Sequence, residues 1–185
     1  VSNRAKEIGK GTLEITGIVI DEEIKIGNCV KTRKSNAYSS IKNALSALKI
    51  YGIDYKDYDI HINITGGILV DGPSAGAAFF ASLYSAITKK PIKSQTALSG
   101  EISISGYILP VGGIKQKVEG AKIAGIKTAL IPFDNKNNDV MKKGIDVVYI
   151  KSTKDIIENI FIEKDKETNN FINEDIEILS AKEVV

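Results

Sequence analysis

The sequence has few of the residues on which several common protein functions depend. It has one cysteine, one histidine and no tryptophan, and aromatic residues make up 6% of its 185 positions. The single cysteine, Cys29, cannot form an internal disulfide, and without a group of Cys and His residues there is no zinc-binding pattern. We therefore expect a reducing compartment, a core position for Cys29 and no metal site.

An excess of one charge and long apolar runs are also lacking. Lys and Arg number 25 against 23 Asp and Glu, so no basic excess indicates nucleic-acid binding. No apolar run approaches the roughly 18 residues of a membrane span, because Ser82 and Ser85 interrupt the longest one. The chain begins with Val1 and shows no signal-peptide pattern. We expect a cytoplasmic piece of a longer protein, with any membrane anchor or further domain outside this chain.

The hydrophobic residues, 43% of the chain, are sufficient to bury one core. Strand and helix patterns alternate, which predicts an α/β or α+β fold. Alternation predicts strands over residues 13–20, 23–26, 59–64, 128–132 and 145–150, and a hairpin over 97–109. Helical spacing predicts helices over residues 36–51, 74–88, 114–124 and 154–161. We interpret residues 1–185 as a single domain, in which residues 163–185 form a charged linker and a weakly docked tail.

One serine stands at a predicted helix start, in the run Gly72-Pro73-Ser74-Ala75-Gly76. Free N–H groups and the positive end of the helix dipole at such a position suit a developing oxyanion. Small neighbours allow a substrate backbone to come close. These features make Ser74 a candidate nucleophile, although a serine at a helix start is also a common capping residue.

A catalytic serine needs a base, and the one histidine, His61, precedes Ser74 in the chain. The nucleophile elbow of α/β-hydrolases needs a histidine after the serine. A triad of His61, Asp71 and Ser74 is formally possible, but Asp71 lies in the serine's own turn and would also have to orient the imidazole. We therefore interpret His61 as a residue on the polar face of a strand.

Lysine is the alternative base. The usual lysine pKa near 10.4 must fall by about 3 units, or roughly 4 kcal/mol, so the base must lie among apolar groups. Helical spacing puts Lys117 in the apolar stripe with Ile114 and Val118, whereas Lys115 and Lys122 are offset from that stripe. Lys117 is the candidate base, and the alternative is a lysine at the rim of the stripe with its ammonium in water.

A second serine–lysine pattern, S-x-x-K, occurs at Ser39/Lys42 and Ser46/Lys49. Both pairs fall on the polar side of one predicted amphipathic helix. We interpret them as parts of a solvated helix face.

The run Asp71-Gly72-Pro73-Ser74-Ala75-Gly76 resembles the nucleophile motif of the Lon proteases. The run Ser99-Gly100-Glu101, followed by Leu109-Pro110-Val111-Gly112-Gly113-Ile114-Lys115-Gln116-Lys117, is similar to the lysine segment of that family. The spacing of Ser74 and Lys117 also matches, and Ile131-Pro132-Phe133-Asp134-Asn135 continues the resemblance. The resemblance covers residues 60–135 and is weaker on either side.

The resemblance implies the Lon proteolytic-domain fold, a compact α/β unit with mixed sheets and packed helices. It implies a serine endopeptidase with a Ser–Lys dyad, in which Ser74 is the nucleophile and Lys117 the base. It gives supporting roles to Asp71 and to Ser99, at a position where threonine is common. The segment before the nucleophile becomes the expected substrate-binding site, made of Thr65, Gly66, Gly67, Ile68, Leu69 and Val70.

The family also implies partners outside this chain. They are an ATPase module in the same full-length chain, which would bind ATP and magnesium, a homo-hexameric ring, and unfolded or damaged polypeptides as substrates. No cofactor is expected in this domain. Because residues 65–70 lack the Pro-Glu-Gly-Ala type of sequence, the chain leans toward the archaeal membrane-anchored branch. The other functions to weigh are a ring-forming module with little activity and a non-catalytic α/β binding domain.

Overall fold

The computed structural model describes residues 1–17, 22–26, 29–33, 35–64, 72–136 and 144–162, with the backbone path alone for 22–26 and 29–33. Asp71, the expected substrate-binding segment of residues 65–70, the tail of residues 163–185 and the side chain of Cys29 lie outside these ranges. Within the ranges, no helix combines the length and the hydropathy needed to cross a bilayer.

Short strands and helices alternate along the described chain, as the sequence predicts. The order is β1 (Ser2–Arg4), β2 (Leu13–Gly17), β3 (Glu22–Ile26), β4 (Cys29–Arg33), α1 (Asn36–Leu48), β5 (Tyr58–Ile64), α2 (Gly76–Thr88), β6 (Thr96–Leu98), β7 (Glu101–Ile102), β8 (Ile108–Leu109), α3 (Ile114–Ile123), β9 (Thr128–Pro132), β10 (Asp146–Ile150) and α4 (Thr153–Ile160). The expected mixed α/β fold class is confirmed.

The strands form small sheets of different kinds. In one, β5 lies between β1, which is antiparallel to it, and β2, which is parallel. In another, β9 lies between β10 and β6, and all three strands are parallel. The pairs β3–β4 and β7–β8 are antiparallel hairpins. The parallel sheet matters most for function, because its strands end side by side and the residues that follow them gather at one edge.

Helix α2 lies in the middle of the core, as its apolar residues predict. Phe80 of α2 is fully buried and packs with Ile41 and Leu45 of α1 in one hydrophobic cluster. Tyr84 continues the cluster, with its ring 5.9 Å from Phe80 and 5.1 Å from Phe161. Each such buried side chain contributes about 1.5–3 kcal/mol through the apolar surface it removes from water.

A second, smaller cluster attaches α3 to the parallel sheet. Ile114 and Val118 of α3 are buried against Ala129 and Ile131 of β9 and against Ile145. Because these side chains recur at helical spacing, one stripe of α3 faces the sheet while the remainder of the helix faces solvent. How deeply the Lys117 side chain is buried therefore depends on its distance from this stripe.

Several predicted helix ends are confirmed, and the glycines that follow these helices have a backbone geometry that ends a helical segment. Helix α1 is followed by a 3-10 turn that ends at Gly52 with φ +71°, and α3 ends before Gly125 with φ +76°. Both values lie in the left-handed region that favours glycine. Strand β5 alternates as expected, with Ile60 buried and His61 and Asn63 exposed.

Other predictions were wrong in extent. The hairpin expected over residues 97–109 covers only β7 and β8, because β6 pairs instead with β9 in the parallel sheet. The helix expected from Ser74 begins at Gly76, after a 3-10 turn over Pro73–Ala75. Strands β1 and β4 were not predicted; β1 has three residues of which only Ser2 is buried, too few to show a period.

We expect Gly76→Ala to lower the free energy of unfolding by about 1–3 kcal/mol, because a Cβ there would overpack the core. That Cβ would lie 2.9 Å from the backbone nitrogen of Ile102 and 2.7 Å from its Cγ2. The control is Gly120→Ala in α3, where an added Cβ meets nothing within 4 Å. It is expected to raise stability by about 0.5–1 kcal/mol. Urea unfolding measures both, and equal effects would contradict this account of the packing.

Candidate active site

Ser74 lies in the middle of a tight turn at the start of α2. Gly72 precedes it with φ +121°, a left-handed value that a residue with a side chain adopts only under strain. Gly72 is the N-cap of the 3-10 turn and Ala75 that of α2, and neither helical segment has a side-chain cap hydrogen bond. The interpretation of Ser74 as a simple helix cap is therefore wrong. Ser74 itself is half-buried in this turn.

The turn is bound through its backbone to the segment that links β6 and β7. The N–H of Gly100 donates to the Ser74 carbonyl at 2.9 Å, and the N–H of Ala77 donates to the Gly100 carbonyl at 3.0 Å. Gly76 packs against Ile102 at a distance that leaves no space for a Cβ. The small size of Gly76 thus serves the protein's own packing, rather than the approach of a substrate that we expected from the sequence.

Ser99 connects this turn to the parallel sheet. It directly follows β6, and its N–H donates to the Leu130 carbonyl of β9 at 3.0 Å. Its Oγ makes a long contact with the Ser74 carbonyl oxygen at 3.5 Å. Ser99 therefore lies at the carboxyl edge of the sheet, the place where α/β proteins commonly build sites.

Lys117 shares a cavity with Ser99. The cavity, of about 130 Å³, lies between α3 and the strands β6 and β9, and Val118, Ala121 and Leu130 are among its apolar lining residues. Lys117 lies one turn into α3, where its N–H donates to the Gly113 carbonyl at 3.0 Å. Ser99 thus contacts the Ser74 turn and lines the cavity that Lys117 also lines, whereas Ser74 is not among the described residues that line this cavity.

The side chain of Lys117 lies at the rim of the apolar stripe, which is the alternative that the spacing left open, and not inside the stripe. Ile114 and Val118 are buried, whereas Lys117 is exposed. A helix turns by about 100° per residue, which puts Lys117 at the edge of the buried arc. Partial burial nevertheless disfavours the ammonium, and this desolvation lowers the pKa of Lys117 below its ordinary value.

The other two lysines of α3 have different surroundings. Lys115 is exposed, and Lys122 lies 4.0 Å from Glu119 in an i,i+3 ion pair. Neither is among the described residues that line the cavity of Lys117 and Ser99. The exposure of Lys115 agrees with the sequence prediction, whereas Lys122 is half-buried and so less exposed than Lys117.

The alternative sites from the sequence are accounted for by other contacts. His61 lies on the exposed face of β5, and its Nε2 is 2.8 Å from Thr16 Oγ1. In α1, Ser46 Oγ donates to the Lys42 carbonyl at 3.0 Å, so this serine hydroxyl is used inside the helix. Lys49 forms an ion pair with Asp54 at 3.6 Å.

Ser39 Oγ donates back to the Ser35 carbonyl at 3.4 Å, and Lys42 Nζ lies over the ring of Tyr38 at 5.6 Å. The members of both S-x-x-K pairs thus have partners within α1 or next to it. The prediction that these pairs belong to a polar helix face is confirmed.

Two parts of the expected site cannot be compared with this geometry. Asp71 and the substrate-binding segment of residues 65–70 lie outside the described residues. Among the residues that are described, no group of three His, Cys, Asp or Glu side chains could hold a metal ion.

Comparison with known proteins identifies the family of the chain. The family model of the Lon protease (S16) C-terminal proteolytic domain matches residues 3–163. The chain belongs to this family. Because the family is one of serine peptidases, a serine endopeptidase function follows from membership, and the resemblance seen in the motifs is confirmed.

The relatives are longer proteins. Lon protease 2 of Bacillus subtilis (strain 168) is 40% identical over 164 residues, which cover 88% of this chain and 30% of that protein. Lon protease of Rickettsia bellii (strain RML369-C) is 34% identical over 162 residues, 84% of this chain and 20% of that protein. Lon protease of Koribacter versatilis (strain Ellin345) is 36% identical over 157 residues, which cover 81% of this chain and 18% of that protein.

The chain therefore spans about a third or less of the curated relatives that it matches. These relatives are bacterial, so the comparison does not support the archaeal membrane-anchored branch expected from the loop sequence. The family assignment stands on the match over residues 3–163 and does not depend on the branch.

Three polar residues that position this Lon domain's turn and loops were missed in the sequence. Ser40 Oγ donates to the Pro73 carbonyl at 3.4 Å, and Asn43 Nδ2 donates to the Ile102 carbonyl at 3.0 Å. Asn135 pairs with both backbone polar groups of Val111. Ser40 interrupts the buried face of α1, which is the signal that would have found it.

We expect Lys117→Met to raise the free energy of unfolding at pH 7, because it removes a charge whose desolvation lowers the lysine pKa. A lowered pKa in the folded state means that the unfolded chain binds this proton more readily. The native chain therefore gains stability as the pH rises toward the ordinary lysine pKa near 10.4, and its deficit relative to Lys117→Met shrinks.

Urea unfolding between pH 7 and pH 10 checks this expectation, with Lys115→Met as the control. Lys115 is exposed, so its substitution is expected to change stability by less than about 0.5 kcal/mol. A Lys117→Met variant less stable than the native chain at pH 7 would contradict the assignment of a desolvated lysine.

Proposed function

We propose that this chain is the proteolytic domain of an ATP-dependent serine endopeptidase, with Ser74 as nucleophile and Lys117 as general base. The observation that carries the proposal is the position of Ser99. It contacts the Ser74 turn and lines the same cavity as Lys117. These two observations support a site to which both of the motifs that resemble the Lon family contribute.

The chemistry follows from the two side chains. Neutral Lys117 takes the proton of Ser74 Oγ while that oxygen attacks the scissile carbonyl carbon. The tetrahedral intermediate collapses to an acyl-enzyme, and the lysine ammonium returns the proton to the leaving amine. Water, deprotonated by the same lysine, then hydrolyses the ester and frees Ser74. A lowered lysine pKa supports this cycle because it raises the fraction of neutral amine at neutral pH.

The oxyanion is held, in this proposal, by backbone N–H groups at the start of the Ser74 turn. The first two N–H groups of α2 already have partners, because Gly76 donates to the Pro73 carbonyl and Ala77 to the Gly100 carbonyl. The proposed donors are therefore the N–H groups of Ser74 or Ala75, which lie in the 3-10 turn itself. Such preorganised donors typically supply about 2.7–4 kcal/mol of transition-state stabilisation.

The substrate, in our proposal, is an unfolded or damaged polypeptide that binds along residues 65–70. An extended peptide that pairs through its backbone there would be held with little side-chain selectivity. The length of the relatives supports an origin in a larger protein, and we propose that an ATPase module with ATP and magnesium belongs to the same full-length chain. We propose a hexameric ring in the cytoplasm, with any membrane anchor in segments outside this chain.

A second candidate function is a ring-forming module with little activity of its own. The exposure of Lys117 favours it for the isolated chain, because a base largely open to water stays mostly protonated at neutral pH. We therefore propose low activity for this chain alone and higher activity in the assembled ring. Ser99 then helps to hold Lys117 in the working geometry.

The dyad predicts that Ser74→Ala and Lys117→Arg each lower the rate of peptide cleavage by a factor on the order of 10⁴ or more. Arginine keeps its charge and cannot accept the proton. A fluorogenic unstructured peptide measures the rate. Near-native cleavage by Lys117→Arg would rule out the general base, and near-native cleavage by Ser74→Ala would rule out the nucleophile.

The controls come from the same helix. Lys115→Ala and Lys122→Ala are expected to fold and to keep most of the activity, because neither lysine lines the cavity of Ser99 and Lys117 as described. Loss of activity in Lys115→Ala with the fold intact would show that Lys115, and not Lys117, is the general base.

Asp71 has a proposed regulatory role next to the dyad. A carboxylate beside Lys117 would stabilise the ammonium and raise the lysine pKa, which opposes the base role. We therefore expect Asp71→Asn to keep or raise the activity of the isolated chain and to move its pH optimum down. The pH profile of peptide cleavage measures this effect. A large loss of activity in a folded variant would instead make Asp71 a necessary part of catalysis.

A further inference from the structure

The loop that leads into α3 is held by one buried side chain from another part of the fold. Asn135 is 7% exposed and lies in the short 3-10 turn after β9. Its Oδ1 accepts the N–H of Val111 at 3.0 Å, and its Nδ2 donates to the carbonyl of Val111 at 3.1 Å. The side-chain amide of Asn135 thus forms hydrogen bonds with both the N–H and the carbonyl of Val111 and clamps this backbone residue.

This clamp is the polar support at the start of α3. The N-cap of α3 is Gly113, with φ +69° and no side-chain cap hydrogen bond. The helix start therefore lacks the capping side chain that usually fixes the entry of the chain. Val111 lies two residues before that N-cap, and Lys117 follows one helical turn after it.

The clamp and Ser99 share one frame, which is strand β9. Leu130 of β9 accepts the hydrogen bond from the Ser99 N–H at 3.0 Å, and Asn135 follows the end of the same strand. Apolar contacts of Ile114 and Val118 fix the distance between α3 and β9. These contacts are non-directional, so the clamp is the directional contact that restricts α3 from sliding or rotating along the sheet.

We infer that Asn135 is a positioning residue of the active site, which acts through Val111 to hold Lys117 against the cavity that it shares with Ser99. This inference rests on the proposed roles of Ser74 and Lys117. Asn135 touches neither the substrate nor the reacting atoms. Its substitution would let the start of α3 move outward, so that Lys117 would lose the partial desolvation at the rim of the cavity and would hold its proton more tightly.

Asn135→Ala and Asn135→Asp test the inference in complementary ways. Alanine removes both hydrogen bonds to Val111. Aspartate keeps the shape and the acceptor for the Val111 N–H, but it places an oxygen against the Val111 carbonyl. The matched control is Asn159→Ala, since Asn159 is exposed on α4 and its Nδ2 donates to the Asp155 carbonyl at 2.7 Å, within its own helix.

The first measurement is the titration of Lys117 in the 185-residue chain, followed by NMR with ¹³C-labelled lysine and assigned with Lys117→Arg. Both Asn135 variants are expected to raise the pKa of Lys117, whereas Asn159→Ala leaves it unchanged. A lower melting temperature with an unaltered Lys117 pKa would overturn the inference, because Asn135 would then contribute only to stability. Should Asn135→Ala fail to fold, the isosteric Asn135→Asp decides the outcome.

The second measurement is the rate at which a fluorophosphonate labels Ser74, as a function of pH. In the Asn135 variants, labelling of Ser74 is expected to be on the order of 10- to 100-fold slower at neutral pH. The pH at which the labelling rate rises is expected to be higher than in the native chain. A labelling rate that rises at the same pH as in the native chain overturns the inference. Labelling by Lys117→Arg at the native rate would instead overturn the proposed dyad, while the Lys117 titration would still test the clamp alone.

Discussion

The backbone of Gly100 holds the two halves of the candidate site together. Its N–H donates to the Ser74 carbonyl at 2.9 Å, and its carbonyl accepts the Ala77 N–H at 3.0 Å. This close exchange is possible because Gly100 is buried and an added Cβ would lie 2.6 Å from Ile108 Cγ2. Ser99, the adjacent residue, is thereby placed between the Ser74 turn and β9. The position of Ser74 relative to the parallel sheet depends on this contact.

The site combines a stable frame with one group that destabilises it. Ile114 and Val118 bury α3 against β9, and that burial carries Lys117 to the rim of an apolar cavity. Desolvation there disfavours the ammonium and so opposes folding, but it also favours the neutral amine that a general base requires. Conflict of this kind between stability and function is typical of active sites, where surrounding contacts hold a group in an unfavourable position.

Much of the fold could be predicted from the sequence because its signals are local. Helices α1 and α3 show apolar periodicity, and a glycine with a left-handed φ value soon after each of them explains why the helical chain stops there. Strand β5 alternates over seven residues, so its inner face could be assigned from the pattern. The pairing of β6 with β9 could not, because a three-residue strand has no period and its partner lies far along the chain.

The candidate site could be predicted only where its signals are also local. Ser74 and Lys117 stand in distinctive local runs, and the membership of the chain in the Lon family agrees with both runs. The rim position of Lys117 was one of two alternatives that the spacing left open, because spacing gives a direction around a helix but not the depth of its neighbours. The clamp of Asn135 on Val111 was missed because it joins two loops through backbone atoms, which leave no pattern in side-chain types.

The central claim is that Ser74 and Lys117 act together on a scissile carbonyl. A crystal structure of the chain with a peptidyl boronate tests it most directly, because the boron mimics the tetrahedral carbon of the intermediate. We expect a covalent bond from Ser74 Oγ to boron, with Lys117 Nζ within about 2.6–3.2 Å of that oxygen. Boron bound to another residue, or a different basic group at hydrogen-bond distance from Ser74 Oγ, would contradict it.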